Sequence, residues 1–193
     1  MLVRTDLIGC YIVRMNALND GYEFLQLRRA ADDYMGGTWQ TVAGCMEPGE
    51  TAWQAALREL DEETGLTPQE FYRSGTFGSF YIPGPTTETD QLFHQVLFLA
   101  IVSREQRVKL NHEHDDYRWI AREKIRESFM WPEDRRILQH LCEDILDGGL
   151  AREYLRISDS LLGSSRAGSP GVGGRSETSG PAKGAGRSSS EET

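Results

Sequence analysis

Between Thr51 and Gly65 the chain specifies a helix at both ends and loads one of its faces with acid. Thr51 followed three residues later by Gln54 is a capping box, and Gly65 is placed as the glycine that ends the helix in a left-handed turn. At about 100° per residue, Trp53, Ala56, Leu57 and Leu60 form one apolar stripe, which requires a partner surface. Glu59, Glu62 and Glu63 lie roughly 115° from that stripe by the same arithmetic, at i, i+3 and i+4. Like charges at that spacing cost a few tenths of a kcal/mol per pair, and anions near a helix C-terminus oppose its dipole. The only nearby cation is Arg58. Carboxylates assembled against their own repulsion are what a hard dication needs.

The residues around the helix extend the pattern. From Gly44 the chain reads five residues, Glu50, seven residues, then Arg58-Glu59-Leu60-Asp61-Glu62-Glu63-Thr64-Gly65-Leu66. At average residue usage a chance match to this set of positions is on the order of 10⁻⁷. The stretch resembles the signature of the Nudix hydrolases at every fixed position. That resemblance implies a Nudix fold and Mg²⁺ as cofactor, with Mn²⁺ as a substitute. It implies Glu59, Glu63 and Glu62 as metal ligands, completed by the backbone carbonyl of Ala43. It further implies either Glu59 or Glu62 as the base for an attacking water. Arg58 is suited to pairing with Glu50 and so orienting the acids, while Gly44, Glu50 and Gly65 shape the loop and helix end.

The rest of the chain reads as alternating elements. Residues 7–16 and 22–29, joined at Asn19-Asp20-Gly21, predict a hairpin. Short strands follow at Trp39–Ala43, 76–82, 92–103 and 116–120. Pro132 opens a helix expected to reach Leu146, and a last short helix is expected between Leu150 and Leu161. The order β, β, β, α, β, β, β, α predicts an α+β domain, a mixed sheet between helices in an α/β/α sandwich. Residues 1–161 suit one domain. Residues 162–193 hold eight Gly, eight Ser and no aromatic residue, and are expected to be a disordered tail.

Charge narrows the partners. The chain carries −9, and the tail contributes +1, leaving about −10 on the body. Such a body is a poor partner for long nucleic acid or anionic lipid. The acidic balance is no obstacle to a small phosphate ester, because a bound dication inverts the local field. The longest near-apolar run, Gln95–Val102, is far short of the roughly 20 residues of a spanning helix. Three widely spaced cysteines, Cys10, Cys45 and Cys142, suggest a reducing, cytoplasmic setting. Leu7-Ile8-Gly9-Cys10 looks like a lipoprotein box, but Asp6 and the short stretch before it leave no apolar export region. A monomer or a homodimer is expected.

Flanking residues refine the resemblance. Gln26-Leu27-Arg28-Arg29, Trp39-Gln40-Thr41-Val42-Ala43-Gly44 and Glu113-His114-Asp115-Asp116-Tyr117-Arg118-Trp119 are similar to the bacterial branch that hydrolyses dATP and dihydroneopterin triphosphate. The branch implies Glu113 as a remote metal ligand and Arg28 as a substrate-binding cation. It also implies cleavage of a nucleoside or pterin triphosphate to monophosphate and pyrophosphate. Trp131-Pro132-Glu133-Asp134-Arg135 departs from the branch's Trp-Ser-Asn-Arg stretch. Dinucleoside polyphosphates, nucleotide sugars and capped RNA ends are rival substrates. A binding module that only senses a nucleotide would usually have lost motif carboxylates, and all are present here.

Tyr81 and Trp39 are candidates to stack a base, with core packing the alternative for each. His112 and His114 form an H-x-H pair that would share a strand face, but no second cluster completes a zinc tetrahedron. His94 reads as an ordinary strand residue and Cys45 as a bystander in the catalytic loop.

Overall fold

The computed structural model describes residues 1–158 and 160–162. The hairpin forms as the sequence predicts, from β1 (Leu2–Met15) and β2 (Tyr22–Arg29), paired antiparallel through Val13 and Phe24. The expected strand at Trp39–Ala43 divides into β3 (Trp39–Gln40), which pairs with β2, and β4 (Val42–Cys45), which pairs with β1. Helix α1 (Ala52–Thr64) follows, then β5 (Pro68–Ile82), β6 (Gln91–Val102) and β7 (His114–Ala121). The strands form one mixed sheet in the order β3-β2-β1-β6-β5, with β4 on β1 and β7 on β2. Its centre is the parallel pair β1–β6, running from Leu2 and Gln91 to Val13 and Ile101 with one register shift between Arg4 and Leu7.

Over residues 8–13 of β1 and 97–102 of β6 both faces are buried, which is why those stretches read as nearly unbroken apolar runs. Ile8, Cys10, Ile12, Phe98 and Ala100 face α1 through Ala55, Ala56 and Leu60. Tyr11, Val13, Leu97 and Leu99 face the other way, against Ile137, Leu138 and Leu141 of α3 (Pro132–Leu141) and Ile145 beyond it. A short helix α2 (Ile125–Ser128), entered by a 3₁₀ turn at Arg122–Lys124, connects β7 to α3. The architecture is the expected α/β/α sandwich.

Several expected boundaries move. Strand β5 begins at Pro68 rather than 76, because a register shift between Arg73 and Phe77 breaks the alternation that marks a strand in sequence. The helix from Pro132 ends at Leu141 and continues as a π-turn over Cys142–Leu146. The helix expected between Leu150 and Leu161 is broken: one turn, α4, covers Arg152–Leu155, and residues 160–162 are helical again. Just beyond α4 the chain instead covers part of the β5 edge, where Arg156 bridges to Tyr72 and the Ile157 N–H donates to Phe71 O at 2.8 Å. Of the expected tail, Leu162 packs against the α1-side core. Residues 163–193 lie outside the described residues.

Candidate active site

Helix α1 is held at both ends as its sequence requires. The Thr51 N–H donates to Gln54 Oε1 at 3.0 Å, and Gly65 adopts φ 64° while its N–H donates to Asp61 O. The helix lies along β4, and the contact is closest at Gly44. A β-carbon there would sit 2.0 Å from Glu59 Oε1, so only glycine leaves room for this carboxylate.

Arg58 organises the loop and the acids together. Its guanidinium donates twice to Glu50, from Nε at 3.1 Å and Nη2 at 3.0 Å. Nη2 also donates to Cys45 O at 3.0 Å, and Nη1 to Glu59 at 2.7 Å and Glu62 at 3.2 Å. One side chain therefore spans the loop, the end of β4 and two acids. The Arg58 bonds and the Glu47 N–H hold the Glu50 carboxyl below its ordinary range, although burial opposes them. The structure thus contains the Arg58–Glu50 pair that the sequence suggested.

The three helix acids do not share one environment. Side-chain exposure falls from 56% at Glu62 to 15% at Glu59 and 4% at Glu63. Glu63 turns toward β4 and β7, and its Oε2 is buried without a hydrogen bond. Burial drives the Glu63 carboxyl well above the usual carboxylate range, reinforced by the charges of Glu59 and Glu113 and opposed by the Ala43 backbone N–H and Arg29. Burial also raises Glu59, against the opposing effect of Arg58. These couplings show that Glu59, Glu63 and Glu113 occupy one neighbourhood although Glu113 is fifty residues downstream of Glu63 in sequence.

Strand β7 supplies the far wall. His114 is buried, its Nε2 is 3.8 Å from Glu63 Oε2, and its Nδ1 is 3.2 Å from Asn111 Oδ1. Burial lowers the imidazole below its ordinary value, helped by the Arg29 charge. Because His112 is exposed and precedes the strand, the H-x-H pair does not share a face.

Of the two neighbouring arginines, Arg29 is the one that reaches the acids. It bonds Asp33 and lies 3.6 Å from Glu113 Oε2. Arg28, the residue singled out by the sequence, is instead paired to Asp115 at 2.6 Å, with Asp116 at 3.8 Å. Strand alternation accounts for the difference: Arg29 shares the face of Leu25 and Leu27, which pack on the α1 side, and Arg28 points to the opposite face.

The aromatic candidates separate. Trp39 lies under the Arg118 guanidinium, 4.1 Å from its ring centroid, and Arg118 bonds the buried Gln26. Tyr81 is exposed on the far end of β5 and donates to Asp90. It is in register with Leu92 and, through β6, with Val3, whereas Gly44 is opposite Ile8. That separates Tyr81 from the motif by about four residues of β6, roughly 13 Å along the strands. His94 is an exposed strand residue bonded to Ser79 Oγ at 2.9 Å. Cys45 is exposed, with a thiol that burial and Asp6 push up rather than activate.

The donor set suits a hard divalent cation: oxygen ligands, an excess of negative charge, and a buried carboxylate oxygen without a partner. As they stand, no three acid, His or Cys side chains among the described residues are close enough together to hold a metal ion, and Arg58 engages Glu59 and Glu62.

Comparison with known proteins gives the family and the fold. The NUDIX domain family matches residues 10–141. The 8-oxo-dGTP diphosphatase of Escherichia coli (strain K12) is 47% identical over 53 residues, covering 28% of this chain and 41% of that protein. The nucleoside triphosphatase NudI of Enterobacter sp. (strain 638) is 30% identical over 131 residues, covering 64% of this chain and 86% of NudI. The first of these matches therefore spans less than half of its relative. The structure of the E. coli dihydroneopterin triphosphate pyrophosphohydrolase shares the fold, with a TM-score of 0.53 and 22% identity over 71% of this chain and 92% of that one. No helix among the described residues is long and apolar enough to cross a membrane.

Proposed function

Since the chain belongs to the NUDIX family of hydrolases, we propose that it is a Mg²⁺-dependent pyrophosphohydrolase that cleaves a nucleoside or pterin triphosphate to the monophosphate and pyrophosphate. The family generally uses a divalent metal and acts on nucleotides. The finer assignment to Mg²⁺ and a triphosphate is our reading. The observation that carries it is Glu63, a buried carboxylate whose Oε2 has no partner and which shares its surroundings with Glu59 and Glu113.

On this reading Glu63, Glu113, the Ala43 carbonyl and whichever of Glu59 and Glu62 is not the base hold the ion. When bound, it neutralises phosphate charge and lowers the pKa of attacking water. Arg58 fixes Glu59 and Glu62 on the loop through Glu50, so the acids are oriented before substrate arrives. Arg29, beside Glu113, supplies a guanidinium suited to a phosphate oxygen, and Arg28 stands at the rim engaged with Asp115. Glu59 and Glu62 are the two candidates to take the water's proton. Their Gln variants separate them: loss of the base lowers kcat at unchanged metal affinity, whereas loss of a ligand lowers both.

The test is product analysis with excess Mg²⁺ across the common (d)NTPs, dihydroneopterin triphosphate, a dinucleoside tetraphosphate, ADP-ribose and a nucleotide sugar. Preferred turnover of one triphosphate, with pyrophosphate released, is the expected result. Preferred turnover of a dinucleoside polyphosphate or nucleotide sugar would replace the substrate class. Binding without turnover of any member would overturn the enzymatic reading in favour of a sensor.

A further inference from the structure

The proposed metal site joins carboxylates from different elements, and something must keep Glu113 facing Glu63. Glu113 belongs to the turn before β7, and its side chain is 41% exposed. Carboxylates brought together repel, so an unrestrained turn would swing Glu113 toward water.

From the contacts around this turn, and resting on the metal reading above, we infer that Asn111 is a positioning residue for the metal site. It acts through Glu113 and His114. Asn111 Oδ1 accepts the Glu113 backbone N–H at 3.1 Å and lies 3.2 Å from His114 Nδ1. An atom already accepting one N–H must be the amide oxygen, so the neutral imidazole carries its proton on Nδ1 and donates it to Asn111. This fixes the ring plane and places Nε2 3.8 Å from Glu63 Oε2, with both side chains at most 4% exposed. The Glu113 carbonyl in turn accepts the Ala30 N–H at 2.8 Å, which pins the same turn to the end of β2. A single amide oxygen thereby sets both the backbone that carries Glu113 and the ring that walls Glu63. Such supporting contacts orient ligands without touching the ion.

The experiment measures Mn²⁺ binding to the full chain by titration calorimetry, with melting temperature recorded in parallel. Asn111→Ala is expected to raise the Mn²⁺ dissociation constant about 10-fold or more. Asn111→Asp, which keeps the accepting oxygen, restores most of that loss. Should Asn111→Ala not fold, Asn111→Gln shifts the amide by one methylene and carries the same expectation. In Glu113→Gln, itself weakened, adding Asn111→Ala produces a smaller loss than it does in wild type, because the arm through Glu113 is already gone and only the arm through His114 remains. Normal Mn²⁺ affinity in Asn111→Ala beside a weakened Glu113→Gln overturns the positioning role alone. Fully additive losses do the same, since Asn111 would then act elsewhere. Normal affinity in Glu113→Gln removes Glu113 from the metal site, and the inference fails with that reading.

Discussion

Gly44→Ala is the sharpest test of the close contact between β4 and α1. The added carbon would stand 2.0 Å from Glu59 Oε1 and 2.2 Å from its Cδ. Reaching an ordinary contact of 3.4 Å requires the carboxylate to retreat by about 1.4 Å. That retreat breaks the 2.7 Å bond from Arg58 Nη1. The fold has little to lose, since the displaced group ends a flexible side chain and Gly44 does not occupy the left-handed region. Replacing glycine in a strand returns about 0.5–1 kcal/mol, comparable to what the strained contact removes. Misplacing a catalytic group by about 1 Å can cost on the order of 100-fold in rate. The expected result is a melting temperature within a few degrees of wild type and kcat/KM about 100-fold lower at saturating Mg²⁺. Thermal melts and a pyrophosphate-release assay read the two quantities. Activity within a few-fold of wild type would refute the reasoning, because the carboxylate would then not need the position that glycine reserves for it.

Three other perturbations separate fold from site. Arg58→Lys keeps the charge but loses the paired bonds to Glu50, and should cost about 2 kcal/mol. The melting temperature should fall by roughly 4–8 °C, with activity falling further than that destabilisation alone explains. Folded Glu63 holds its proton above the usual value of 4.5, so the metal-free fold binds more protons than the unfolded chain as pH rises past that value. Wild-type stability in a chelator should therefore fall from about pH 4.5 upward relative to Glu63→Gln; parallel melting curves for the two between pH 5 and 8 would contradict the burial argument. Tyr11→Phe strips the half-buried Asp134 of the 2.8 Å bond it accepts from the Tyr11 hydroxyl. It should cost about 1–2 kcal/mol in urea unfolding and leave hydrolysis unchanged, since Tyr11 faces α3 across the sheet from the motif.

How much of this was legible in the sequence depends on whether a feature is carried by local pattern. The caps of α1 were, because Thr51, Gln54 and Gly65 act on backbone groups within a turn of themselves. The parallel β1–β6 centre left its trace as two apolar runs buried on both faces. Register shifts left none. One hid the first half of β5. The roles of Arg28 and Arg29 were legible, since alternation puts Arg29 on the α1 face with Leu25 and Leu27, but the resemblance pointed to Arg28 instead. The helix acids were read as one face, yet tertiary packing grades them from open Glu62 to enclosed Glu63. Asn111 gave no signal because its role exists only once β7 lies beside β2.

The gradient among those acids explains why the fold tolerates them. Three glutamates in the last two turns of α1 oppose both one another and the helix dipole. Arg58 offsets the cost for Glu59 and Glu62, engaging both while remaining tied to Glu50. It does not reach Glu63, which is left buried with an unsatisfied oxygen and an upward-shifted carboxyl. In a protein selected for stability alone that position would be neutral, as Gln or Leu. The destabilisation is therefore localised where a bound cation would reverse it. A divalent ion that binds only the folded state should raise the melting temperature of wild type and leave that of Glu63→Gln nearly unmoved.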